Sequence, residues 1–96
     1  MCIRDRFLQD CAPDIVDEAT RHLAPQSLAV TQQPVTAAAW QQVPSTYLVC
    51  TQDQGTPVTA QREFARRATH VVEIDAGHHP FLSRPDAVAD VIMGLS

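Results

Sequence analysis

Apolar positions change their rhythm along this chain, and the change predicts its elements. Ile15, Val16, Ala19 and Leu23 recur at helical spacing, with Asp14, Asp17 and Glu18 towards the positive N-terminal end, so a helix is predicted over residues 13–23, stopped by Pro25. Residues 25–36 carry few large apolar groups and read as a connector or part of a cap, and Ala37-Ala38-Ala39-Trp40 reads as a helical turn. Residues 46–51 then form an unbroken β-prone run, bounded by Pro44 and by Gln52-Asp53-Gln54-Gly55. A run without polar alternation suits a strand covered on both faces. Thr56 and Pro57 read as a helix cap followed by proline at the first helical position, and Val58, Gln61, Phe64, Ala65 and Ala68 as the inner stripe of that helix. A second strand is predicted over residues 70–75. Ser83 and Asp86, around Pro85, have the spacing of a capping box for a last helix with Val88, Val91, Ile92 and Leu95 inward. Strand, helix, strand, helix with short links predicts an α/β unit whose parallel strands are joined by a right-handed crossover.

Composition narrows the classes. Ninety-six residues at 45% hydrophobic suffice for one small globular unit. The net charge of −4 and scattered basic residues argue against a nucleic-acid partner. No apolar run approaches the roughly 20 residues that span a bilayer, which argues against a membrane protein. Cys2, Cys11 and Cys50 are an odd number at no zinc-like spacing, so reduced thiols and a cytoplasmic location are expected. The opening residues 1–6 are out of character with the rest of the chain and are expected to be a non-native or disordered leader.

Two loops carry the candidate chemistry. Asp53 leaves the end of the first predicted strand, and His78, 25 residues later, leaves the end of the second after Gly77. Reactive groups of open α/β sheets gather outside the carboxyl ends of strands. Imidazole is suited to general-base work because its unperturbed pKa lies near 6.5. Each residue also has a plainer reading: Asp53 as an aspartate capping its own turn, His78 as a surface histidine. His79 competes with His78, but neighbouring side chains diverge and only one is expected to face the acid. A metal centre from His78, His79, Asp53 and Asp75 lacks zinc-like spacing, so no metal and no cofactor are expected. His22 and His70 are expected at the solvent edge, and Trp40 and Phe64 within a packed core or cap.

Taken together, Val43-Pro44-Ser45-Thr46-Tyr47-Leu48-Val49-Cys50-Thr51, then Asp53 with Pro57 and Gln61, then Gly77-His78 with Pro80-Phe81-Leu82-Ser83-Arg84-Pro85, resemble the α/β-hydrolase superfamily. The closer likeness is to the branch of plant methyl-ester esterases, hydroxynitrile lyases and bacterial relatives. It runs from about Trp40 to Leu95, with a fainter likeness of residues 7–34 to that branch's cap. The resemblance implies the C-terminal part of an α/β-hydrolase fold: a partial helical cap over residues 7–40 and the second half of the core over residues 41–96. It implies Asp53 as triad acid and His78 as triad base, the step of seven residues from His78 to Pro85 favouring His78 over His79. Where the lyases carry a lysine after the histidine this chain has His79, which favours ester hydrolysis.

The three glycines, Gly55, Gly77 and Gly94, cannot build the Gly-x-Ser-x-Gly turn of such enzymes. The expectation is therefore a piece of a carboxylic ester hydrolase acting on a small-molecule ester, inactive without a nucleophile supplied upstream. The competing expectation is a non-catalytic binding protein that reuses half of the fold. Oligomeric state is not legible.

Overall fold

A computed structural model of the chain describes residues 3–95. Helix α1 (Ile3–Phe7) leads into α2 (Pro13–Arg21), a short α3 (Ala29–Gln32) and a single 3-10 turn at Ala39–Gln41. Next come strand β1 (Thr46–Cys50), α4 (Val58–Ala65), β2 (His70–Ile74), α5 (Pro80–Ser83) and α6 (Pro85–Met93). The two strands pair in parallel, with Thr46 opposite His70 and Cys50 opposite Ile74, so both finish at the same level. Over its described part the expected leader forms α1, and Arg4 reaches Asp17 of α2 at 3.3 Å. The expectations for Met1 and for the Cys2 thiol lie outside the described residues, while Cys11 and Cys50 are free thiols.

Helix α2 begins with Pro13 at its first position and turns Val16 inward, with Ile15 and Ala19 half-buried. It ends at Arg21, short of Pro25, where the His22 ring nitrogen Nδ1 meets the Glu18 carbonyl at 2.9 Å. Leu23 therefore falls outside the helix and is exposed.

The core is thin. Val49, Cys50, Ile74, Ala65 and Ala76 are buried along β1, β2 and α4, and burial of Val49 alone is worth roughly 2 kcal/mol. Thr46, Tyr47 and Leu48 are only half-buried, and Val71 and Val72 are exposed, so the two-sided burial expected of β1 is confined to its C-terminal end. The cause is geometric: among the described residues the sheet has two strands, and no further layer covers their remaining faces and edges. The same reason leaves Phe64, Trp40, Ile92 and Leu95 exposed, against their expected inward placement. A Cα radius of gyration of 14.8 Å exceeds the about 12.5 Å of a fully compact chain of this length. Among the described residues no helix is long and apolar enough to cross a membrane.

Two capping expectations are corrected. Helix α4 starts at Val58 with Pro57 in the cap position: the Pro57 carbonyl accepts from the Gln61 amide at 3.1 Å, while the Thr56 carbonyl is taken by the Gln61 side chain at 2.9 Å. No capping box forms at α6: Ser83 belongs to α5, its hydroxyl is buried without a partner, and Arg84 occupies the cap position.

The end of β1 depends on one amide. Gln61, 3% exposed on the inner face of α4, accepts from the Cys50 N–H at 2.8 Å and donates to the Cys50 carbonyl at 2.9 Å. Its side chain thus copies the pairing that a neighbouring strand would give. Gln61→Leu keeps the bulk and strands both Cys50 groups, each costing about 1–3 kcal/mol when buried and unpaired. The expected result is a loss of about 3 kcal/mol in urea denaturation, with accelerated exchange of the Cys50 amide.

Candidate active site

Pairing continues past the strands, and this positions the candidate residues. The Thr51 amide donates to the Ile74 carbonyl and the Gln52 amide to the Ala76 carbonyl, both at 3.0 Å. Asp53 and His78 therefore leave the sheet side by side at its carboxyl end. His78 Nδ1 lies 2.8 Å from Asp53 Oδ2, with the aspartate side chain 5% exposed and the imidazole 32% exposed. The nitrogen facing a carboxylate carries the proton, which leaves Nε2 with a free lone pair.

Asp53 closes its own turn and meets His78 as well. Oδ1 accepts from the Gly55 and Thr56 amides at 2.7 and 2.9 Å, closing the turn before α4, while Oδ2 faces His78 and lies 3.4 Å from Gln61 Nε2. The turn bonds hold the carboxylate plane, so the second oxygen is aimed before any ring approaches it.

The histidines diverge less than adjacency suggests. Their rings sit 4.9 Å apart, edge to face, and both contact Phe7, at 4.5 Å for His78 and 6.3 Å for His79. Only His78 reaches the carboxylate. His22 and His70 are exposed, as expected. Among the described residues no three His, Cys, Asp or Glu side chains gather as metal ligands. An apolar depression of about 420 Å³, lined by Trp40, Tyr47, Phe64 and Arg67 among others, opens at the opposite, N-terminal end of β1.

The α1–α2 connection also contributes, which the periodicity did not reveal. Asp10 Oδ2 accepts from the Gly77 amide at 2.6 Å, and Gln9 Nε2 donates to the Gln52 carbonyl at 2.7 Å. The Phe7 ring lies so close over Gly55 that a Cβ there would overlap it. The signal was present only as a polar pair beside an aromatic, a pattern too common to single out.

Burial, and next to it the His78 ring, push the His79 imidazole below its ordinary pKa, against weaker pulls from Asp53 and Asp10. Burial chiefly, with Asp53 and then Asp10 nearby, pushes the Cys50 thiol up and away from the reactive thiolate. Because the folded state disfavours charged His79, the unfolded chain binds that proton more readily. This contribution to stability is complete above about pH 6.5 and drains as pH falls through the lowered folded-state value. His79→Gln, which cannot take the proton, is expected to flatten the fall in urea midpoint between about pH 7 and 5. Identical slopes for parent and variant would refute the assignment.

The geometry can be set beside known proteins. A profile of the alpha/beta hydrolase family matches residues 2–91. The alpha/beta hydrolase nvfD of Aspergillus novofumigatus is 37% identical over 93 residues, covering 94% of this chain and 37% of that protein. A probable hydrolase R7 of a Phoma species is 33% identical over 94 residues, covering 91% of this chain and 38% of that protein. Polyneuridine aldehyde esterase superposes with a TM-score of 0.84 over 97% of this chain and 39% of its own, at 23% identity, a likeness of fold. The chain thus spans about two fifths of the length of these proteins. With its parallel strands, crossover helix and matched loops, it belongs to the alpha/beta hydrolase family.

Proposed function

We propose that this chain supplies the acid and the base of a carboxylic ester hydrolase. The nucleophile and the donors for its oxyanion come from polypeptide outside these 96 residues. One observation carries the reading: a carboxylate fixed by its own turn holds Nδ1 of His78 at 2.8 Å, at the carboxyl end of two parallel strands. Hydrolase relatives and an esterase of the same fold support it.

In this mechanism a serine hydroxyl attacks the ester carbonyl while His78 Nε2 takes its proton. The imidazolium that forms is stabilised by Asp53, and it then protonates the departing alkoxide. Water repeats the cycle on the acyl-enzyme, with His78 again the base. Asp53 stays ionised throughout; its task is to hold the ring in one tautomer and orientation. His79, turned from the carboxylate, takes no proton in this scheme. The substrate is a small-molecule ester, no nucleic acid or membrane is involved, and a reducing cytoplasm fits the free thiols of Cys11 and Cys50.

The isolated chain is expected to resist a fluorophosphonate serine probe, because it holds the relay and no serine elbow. Stoichiometric labelling of the 96 residues would contradict this. In the longer polypeptide that carries the serine, His78→Ala and Asp53→Asn are each expected to lower kcat by about 10⁴-fold, the scale of a lost triad member. His79→Ala is expected to stay within about tenfold, the scale of a neighbour outside the relay. Steady-state ester hydrolysis checks all three, and the reading fails if His78→Ala turns over normally.

A further inference from the structure

The geometry assigns Gln9 and Asp10 as positioning residues that hold the two loops of the site in register. The residues are consecutive, and each binds the residue immediately before one member of the pair. Gln9 Nε2 donates to the carbonyl of Gln52, which precedes Asp53, and Asp10 Oδ2 accepts from the amide of Gly77, which precedes His78. One peptide unit from the α1–α2 connection therefore spans both loops and sets their separation from outside the sheet.

The surroundings show how tight this clamp is. A Cβ on Gly77 would come within 2.6 Å of Asp10 Oδ1 and 3.0 Å of Gln9 Nε2, so a side chain there would push against both ties. Two residues before Gln9, Phe7 closes over Gly55 and against the His78 ring at 4.5 Å. The described chain has little core with which to hold two loops, since only two strands reach the site. Bonds to carboxylates are among the stronger ones, and their direction is specific. Asp10 touches no reacting atom: it acts on His78 through the Gly77 amide.

The consequence for turnover rests on the proposed ester hydrolysis; the consequence for the Asp53–His78 bond does not. Two measurements keep them apart. In the 96-residue chain, Asp10→Ala and, independently, Gln9→Met are expected to speed solvent exchange of the His78 Nδ1 proton about 5–10-fold, the effect of one lost hydrogen bond on local opening. Asp10→Asn keeps an acceptor oxygen without the charge and should restore exchange to within about threefold, separating geometry from electrostatics. In the longer polypeptide, Asp10→Ala should lower kcat about 10–100-fold with KM nearly unchanged, as misplacement of a relay does. Unchanged ring-proton exchange in either breaking variant overturns the clamp, as does an Asp10→Asn chain that behaves like Asp10→Ala. Normal turnover in His78→Ala would instead remove the hydrolase reading and leave the exchange result standing.

Discussion

The Asp53 carboxylate divides its oxygens, and the site depends on that division. Oδ1 closes the turn into α4 through the Gly55 and Thr56 amides, and Oδ2 is left to hold His78. A carboxylate free to rotate would lose side-chain entropy each time it met the imidazole. Here that cost is met by the turn during folding. The same turn leads into α4 at Val58 and brings Gln61 beneath Cys50, so aiming the acid and ending the strand are parts of one hydrogen-bonded knot.

Around this knot the rest of the chain is open. Arg62 forms a two-point ion pair with Glu73 across α4 and β2, at 3.1 and 3.2 Å, but exposed pairs contribute at most about 1 kcal/mol. Apolar side chains on α4 and α6 and the outer edge of β1 lack a covering layer among the described residues. The order of the site is thus maintained by hydrogen bonds among its own polar groups, and only in part by a hydrophobic core. Replacing such groups costs more than their number suggests where the partner left behind is buried, as at Cys50.

Residues 7–10 alter the meaning of the N-terminal third. The family resemblance assigns this stretch to a cap; in space, Phe7, Gln9 and Asp10 lie on the loops of Asp53 and His78. A helical hairpin from one end of the chain and two loops from the other converge on a few backbone atoms, which makes the acid–base pair a property of the whole chain.

The sequence alone determined the order and type of the main elements, because unbroken β-branched runs and the 3.6-residue periodicity of helices express themselves over short windows. It also determined the two candidate residues, since strand ends, an Asp-Gln-Gly turn and a Gly-His step are local signals. It could not determine helix caps where a side chain from the helix itself takes the carbonyl in question, as Gln61 does at Thr56, or where a short helix intervenes, as at Ser83. Nor could it determine burial: Phe64 and Ile92 carry the pattern of inward residues, yet burial requires a second surface, and which surfaces exist is decided by tertiary structure. The 2.8 Å contact between Asp53 and His78 and the two ties of Gln9 and Asp10 belong to that level as well, because they join residues separated by 25, 43 and 67 positions, beyond any local rule.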